Sequence, residues 1–295
     1  MKEIDGGTLL LVNPNARSGN EELGELILPL HDLGPVIAPK SLDREAVRKA
    51  IAQYAGSVAR IVIGGGDGSL HAALPAVLET KLPLGVLPLG TANDFARSLG
   101  IADVRAAVEV IVSGVTRPVD VGVVNGICFL NAVGIGIGPE ITRNLDKQSK
   151  SSLGVFAYLV NAIKSLRQSR GMSAVIECDG ARHALRSLQI TISNGIHYGG
   201  GMTIARDARL DDGILDALSI PPQGFWSLLL KGPAIRSGNA GRIDELPTFR
   251  ASEVRVYTRR PRDVTADGEQ VTRTPIECRV LPGRLTVFAP TTTTE

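Results

Sequence analysis

Aromatic residues are scarce in this sequence of 295 residues, at 4%. That excludes an extensive ring platform for stacking bases, and it leaves the core to aliphatic side chains. Cysteine is scarce too. Cys128, Cys178 and Cys278 are odd in number and far apart, so neither a zinc spacing nor a disulfide framework is present. A reducing compartment fits that usage. There is no excess charge of one sign, since 32 Lys and Arg stand against 30 Asp and Glu. Nothing in that balance calls for nucleic acid. Charge or glycine interrupts every apolar stretch before the roughly 18 residues of a membrane span. Met1–Gly7 is short and polar, without the apolar centre of a secretory signal. These absences lead us to expect a cytoplasmic protein.

What the chain has in quantity is punctuation, with 33 Gly and 17 Pro. Hydrophobic residues at 43% and charged residues at 21% lie in the globular range. The length suits one large domain or two medium ones.

The first 120 residues alternate short apolar runs with helical patterns. Thr8–Val12 reads as a buried strand ending at Asn13-Pro14. Ala46, Val47, Ala50, Ile51 and Tyr54 share one helical face. Arg60–Ile63 reads as a strand running into Gly64-Gly65-Gly66. Leu70, Ala73, Leu74, Val77 and Leu78 then recur at helical spacing, and Pro75 is expected to kink or break that helix. Leu84–Leu87 is another strand, followed by a short helix over Asn93–Leu99 that Gly100 closes. Asp103 caps a further helix, which Gly114 stops. This rhythm argues for a parallel sheet covered by helices.

The rhythm changes after Val119. Ala174–Cys178, Leu185–Ser193, Ile214–Ile220, Arg250–Thr258 and Pro275–Leu281 read as strands of an antiparallel sandwich or barrel. Helical patterns over Leu153–Arg167 and Phe225–Lys231 interrupt them. The division expected is an α/β domain over 1–122 and a β-sandwich over 123–283. The run at about 284–290 returns to the first domain.

Three loops carry the chemistry. Gly64-Gly65-Gly66-Asp67-Gly68-Ser69 follows a strand and opens a helix. Glycines let backbone N–H groups approach an anion, and a helix N-terminus favours negative charge. Asp67 would repel a phosphate unless it orders a Mg²⁺ or water shell. The loop is neither a Walker A nor a G-x-G-x-x-G motif. Leu87–Arg97 (LPLGTANDFAR) likewise follows a strand and starts a helix. In it Thr91 can cap the helix and offer a ligand its hydroxyl. Strand ends of this kind are where open α/β sheets bind ligands. The third loop, Asn13–Gly19, holds Arg17, which suits a phosphate or plain solvation. Farther on, Asp211-Asp212-Gly213 and Asp267-Gly268-Glu269 each contain Asp-Gly, a turn dipeptide in its own right.

Together NPNARSG at 13–19, GGGDGS at 64–69 and PLGTANDFAR at 88–97 resemble the diacylglycerol kinase catalytic-domain family, in its bacterial soluble branch. Asn194, Tyr198–Gly201 (YGGG), Asp211–Asp216 (DDGILD) and Asp267–Glu269 (DGE) fit as well, so the likeness runs from about 8 to 289. GGDGS alone is shared with NAD kinases and phosphofructokinases, whereas PLGTANDFAR with YGGG and DGE is far more specific. The resemblance implies a Rossmann-like α/β domain of the NAD kinase and phosphofructokinase type, followed by a mainly antiparallel β-sandwich. The sandwich carries the lipid substrate and a metal.

It also implies roles. ATP is held by Asn13, Arg17, Gly64, Gly65, Gly66, Asp67, Gly68, Ser69, Gly90, Thr91 and Asn93. Glu269 is the general base, and Asp67 joins it in catalysis. Asp94 and Asp120 belong with Asp67 to an aspartate–water–Mg²⁺ network. A structural ion, Mg²⁺ or Ca²⁺, is bound by the Asp212 carboxylate and the carbonyls of Arg209 and Ile214. Hard oxygen ligands suit those ions. The partners implied are ATP, a lipid alcohol and, transiently, the inner membrane surface, with homodimerisation open. Phe225–Lys231 and Leu153–Leu166 suit either membrane contact or core packing.

The sequence departs from the family in places. Ser69 stands where Thr is usual, His71-Ala72 where Asn-Glu is common, Arg206 where a proline is common and Lys40 where a threonine is often found. His71 is expected at the surface, its alternative being an adenine or ribose contact. Two competing readings remain, an NAD kinase-like activity and a nucleotide-binding regulator with little catalysis.

Overall fold

The computed structural model describes residues 6–12, 20–39, 44–136, 171–198, 202–203, 208–222 and 246–291. The helical patterns at Leu153–Arg167 and Phe225–Lys231 lie outside these residues, as do Asn13, Arg17, Lys40, Gly199–Gly201 and Arg206.

The N-terminal half is an α/β domain with parallel strands. Its elements run β1 (Thr8–Val12), α1 (Asn20–Ile27), β2 (Val36–Ile37), α2 (Arg44–Tyr54), β3 (Arg60–Gly65), α3 (Asp67–Thr80), β4 (Leu84–Pro88), α4 (Asp94–Ser98) and α5 (Val104–Ser113). The strands stand in the order β2-β1-β3-β4, all parallel. Their runs are continuous apolar segments because both faces are covered, and Leu9, Ile61, Val62, Leu84 and Leu87 are buried. Asp103 Oδ1 accepts from Ala106 N at 2.9 Å and caps α5. Gly114 ends that helix in the left-handed region. Helix α3 does not break at Pro75 but continues to Thr80. Pro75 is exposed, so its ring sits on the solvent side and disturbs no packed face.

The second half is an antiparallel β-sandwich. Its strands are β5 (Thr116–Val124), β6 (Ile127–Phe129), β7 (Ala132–Gly136), β8 (Met172–Cys178), β9 (Ala181–Ser187), β10 (Gln189–Ser193), β11 (His197–Tyr198), β12 (Met202–Thr203), β13 (Leu215–Ile220), β14 (Thr248–Ala251), β15 (Glu253–Thr258), β16 (Asp263–Ala266), β17 (Glu269–Arg273) and β18 (Ile276–Phe288). One layer, in the order β14-β13-β10-β7-β16-β17, is a sheet of its own. The other, β18-β15-β8-β9, continues the sheet of the first half through β4. Ile135, Ile176, Ile190, Ile192, Val254 and Val264 fill the space between the layers.

Two runs read as single strands are each two strands in different layers. Leu185–Ser193 divides at Leu188 into the ends of β9 and β10, and Arg250–Thr258 divides at Ser252 into β14 and β15. At the first division Leu188 N donates to Ile220 O, and at the second Val280 N donates to Ser252 O. In both, the chain crosses from one layer to the other where two polar residues in a row, Arg186-Ser187 and Ser252-Glu253, shift the phase of the apolar alternation. Conversely, Pro275–Leu281 and Arg284–Ala289 join into β18. That strand pairs antiparallel with β15 and β5 and, at Val287, parallel with Leu84 of β4.

Candidate functional site

Two loops leave the same edge of the parallel sheet. Strand β3 ends at Gly65 and β4 at Pro88, and these residues are register partners. Leu89 N donates to Gly65 O at 3.1 Å. Beyond that bond the loops touch backbone to backbone. A Cβ on Gly90 would lie 2.4 Å from Gly66 Cα and 2.7 Å from Asn93 Oδ1. The backbone cannot yield by that much, so Gly90 has to be glycine. Asn93 closes the second loop, accepting from Gly90 N at 2.9 Å and donating to Gly90 O at 3.0 Å.

Helix α3 starts after Gly66 without a side-chain cap, so the positive end of its dipole faces the loop. Asp67 caps the neighbouring helix instead. Its Oδ2 accepts from Asp94 N and its Oδ1 from Phe95 N, both at 3.1 Å. Thr91 therefore does not cap α4 as expected. Asn93 takes the N-cap position in a left-handed conformation with its side chain committed to Gly90, while Thr91 is exposed in the loop. Asn131 Nδ2 also donates to Asp67 Oδ1, at 3.0 Å. Burial pushes the Asp67 carboxyl above the ordinary range. The three donors oppose that rise and the charge of Asp94 adds to it.

The sandwich meets these loops through a hairpin. Ala266 pairs with Glu269 across the Asp267-Gly268 turn, and both turn residues have positive φ, 48° and 87°. A type I′ turn needs that pair of angles, which Asp-Gly supplies. The side chain of the same Asp267 is also buried and bonded. Its Oδ2 accepts from Leu130 N at 2.9 Å, and its Oδ1 from Asn131 N at 2.8 Å and Ala132 N at 3.2 Å. His71 Nδ1 lies 3.2 Å from Asp267 Oδ2, with the two side chains 8% and 1% exposed. His71 is thus not a surface histidine, because α3 turns it toward the hairpin, one helical turn after Asp67. Glu269, next after the turn, reaches over the glycine loop. Its Oε1 would be 3.6 Å from a Cβ on Gly68. The structure thereby brings Gly66–Ser69, Gly90, Asn93, Asp94 and Glu269 together, while Gly64 stays within β3, packed against Val12 and Leu89.

Asp120 and Asp212 sit at a second cluster. The Asp120 carboxylate accepts from Gly213 N and Gly283 N, both at 2.7 Å. Asp212 Oδ1 accepts from Ile214 N at 3.1 Å, and its Oδ2 from Arg250 Nη2 at 2.9 Å. Arg250 Nε also pairs with Asp216 at 3.0 Å, and Arg209 pairs with Asp211 at 3.0 Å. The Asp212–Gly213 turn leads into β13, which pairs with β10 and β14, so it is not a hairpin between paired neighbours. Among the described residues no three His, Cys, Asp or Glu gather as a metal site. Asp212 offers the hard oxygen a divalent ion needs, but an ion there has to displace Arg250.

Sequence reasoning missed two residues of the cleft. Asn131 is buried, and its meaning comes from partners distant in the chain. His197, whose only signal was its place before Tyr198, has Nδ1 3.2 Å from Ser98 Oγ of α4. Burial lowers the His197 pKa. The Asp94 charge opposes that shift and Arg97 adds to it.

Comparisons with known proteins come from both halves. Residues 7–124 match the family model described as the diacylglycerol kinase catalytic domain, and residues 131–289 match the YegS C-terminal NAD kinase beta sandwich-like domain. The chain is 32% identical over 292 residues to a Pseudomonas aeruginosa PAO1 protein described as "Probable lipid kinase YegS-like". That alignment covers 97% of this chain and 96% of the relative. It is 31% identical over 215 residues to a diacylglycerol kinase of Bacillus subtilis, covering 71% of this chain and 70% of that protein. A crystal structure of a diacylglycerol kinase from Bacillus anthracis Sterne superposes with a TM-score of 0.78 at 24% identity, over 97% of this chain and 98% of that one.

Proposed function

The chain belongs to the diacylglycerol kinase catalytic-domain family, and from that premise we propose that it transfers the γ-phosphate of ATP to a hydroxyl of a diacylglycerol-like or related lipid. The observation that carries this reading is the reach of Glu269 Oε1 to the glycine loop at Gly68. A proton acceptor and an anion cradle on opposite walls of one cleft are what transfer to an alcohol requires.

In this reading the ATP phosphates lie on Gly65–Ser69 at the start of α3, flanked by Gly64, Gly90, Thr91 and Asn93, with Asn13 and Arg17 supplied by the first loop. The lipid hydroxyl attacks the γ-phosphorus, Glu269 accepts the hydroxyl proton, and the bond from the γ-phosphorus to the bridging oxygen breaks as ADP leaves. Glu269 then releases its proton to solvent. Asp67 holds α4 and Asn131 against the loop, so the cradle is preorganised before ATP arrives. When bound, Mg²⁺ supplies charge neutralisation at the phosphates, and Asp67 and Asp94 are the carboxylates assigned to its water shell. Asp120, expected with them, has its carboxylate engaged by Gly213 N and Gly283 N in the second cluster. A structural Mg²⁺ or Ca²⁺ is assigned to Asp212 with the carbonyls of Arg209 and Ile214, where it competes with Arg250.

A lipid acceptor implies transient contact with the headgroup layer, from the cytoplasmic side under this reading, and a place in phospholipid metabolism. Among the described residues no helix is long and apolar enough to cross a membrane.

Labelled ATP, a panel of lipid alcohols and NAD, with and without Mg²⁺, form the test. Lipid labelling that depends on Mg²⁺ is the expected result. Labelling of NAD alone makes the chain an NAD kinase-like enzyme. ATP binding with no labelled product makes it a nucleotide-binding regulator.

A further inference from the structure

His71 is buried, touches the hairpin that carries Glu269, and has no part in the reaction set out above. We propose that His71 is a positioning residue for the proton acceptor, acting through Asp267, and this rests on the lipid-kinase reading.

The geometry is a clasp between two elements distant in sequence. Asp67 and His71 are four residues apart on α3 and so share a face. Asp67 holds the Asn131 side chain at 3.0 Å. His71 holds Asp267 at 3.2 Å, and Asp267 in turn holds the Asn131 backbone at 2.8 Å. Helix α3, the Leu130–Ala132 segment and the hairpin turn therefore form a closed ring of hydrogen bonds.

A carboxylate offers only acceptors. Asp267 already receives three backbone N–H groups, and in the proposed clasp His71 adds a fourth from Nδ1. That makes four donors on a nearly fully buried carboxylate, which is how a buried charge is kept in place. The turn has a further tie to its own sheet, Asp267 N to Ala132 O at 2.9 Å. Among the described residues His71 is a hydrogen-bonded tie from Asp267 to α3. Two residues along, Glu269 must stay aligned over Gly68. A misplacement of about 1 Å at a reacting group costs roughly 10²-fold in rate.

The experiment compares His71→Ala and His71→Asn with wild type. Asn keeps an N–H donor close to the position of Nδ1, and it controls for loss of the fold. His71→Ala is expected to lower kcat roughly 10- to 100-fold while the KM for ATP changes less than about twofold. His71→Asn is expected to recover most of that loss. Amide hydrogen exchange at Leu130, Asn131 and Ala132, which needs no turnover, is expected to quicken in His71→Ala and to return toward wild type in His71→Asn. Unchanged exchange in His71→Ala overturns the proposal whether or not any lipid is phosphorylated. An unchanged kcat, or a kcat that Asn fails to recover once exchange is restored, overturns it as well. A wild type that labels no lipid removes the kinase reading, and the exchange result then still decides whether His71 holds the turn.

Discussion

Asn131 Nδ2 donates to the Asp67 carboxylate at 3.0 Å, and that bond ties the glycine loop of the α/β half to the start of β7 in the sandwich. The Asn131 backbone N–H goes to Asp267, so a single residue spans the cleft and touches both of its acidic anchors.

Replacing Asn131 by Ala removes one donor from a half-buried carboxylate whose proton affinity burial has already raised. A hydrogen bond to a charged group is worth about 1.5–3 kcal/mol. The melting midpoint should fall by about 5 °C, which differential scanning calorimetry will register. Asn131→Asp brings a second carboxylate to Asp67 and should cost more than Asn131→Ala.

Glu269→Gln keeps the size of the side chain and loses its basicity. Turnover should drop by about 10²–10⁴-fold, the usual contribution of a positioned base, while ATP binding by calorimetry stays within a few-fold of wild type. Equal turnover in the variant would remove Glu269 from the mechanism.

The two loop glycines separate fold from function. Gly90→Ala drives a Cβ into Gly66 backbone at 2.4 Å, so the loops must part, at a cost of about 1–3 kcal/mol. Gly68→Ala meets nothing closer than Glu269 Oε1 at 3.6 Å. It should fold with a near-normal melting midpoint and show its effect in kinetics alone. A stable Gly90→Ala variant with normal nucleotide affinity would contradict the close approach of the loops.

His197 makes stability depend on pH. Burial lowers its pKa from the ordinary 6.5, so the folded state favours the neutral ring. Its contribution is full above pH 6.5 and is lost as pH falls through the lowered folded value. Melting midpoints taken from pH 7.5 down to 5 should fall more steeply for wild type than for His197→Gln. Parallel curves would mean that the ring is not desolvated against α4.

Much of the fold is legible in the sequence because its signals are local. Gly64–Ser69 and Leu87–Arg97 each set glycine between a strand pattern and a helix pattern, and the structure has strand, loop and helix there. The divisions at Leu188 and Ser252 are only faintly marked. The alternation slips by one residue at each crossing, at Arg186-Ser187 and Ser252-Glu253, but a slip reports a change of face and not which layer the next strand joins. Pro75 does not break α3, because the buried face of Leu70, Leu74, Val77 and Leu78 holds the helix in spite of the hydrogen bond that the proline removes. His71 and Asn131 were opaque for a different reason. Their partner Asp267 is 196 residues from His71 and 136 from Asn131, and no local pattern encodes a bond of that span.

Strand β18 sets the order in which the molecule can be completed. On the ribosome, β4 and β5 emerge well before it, and neither gains its β18 partner until residues 276–288 have been made. Until then one edge of the parallel sheet stays open to other strands, a known hazard for nascent chains. A gene cut between its two family segments yields a first half without that closing strand. Complementation by the two halves should therefore fail when residues 276–288 are deleted from the second.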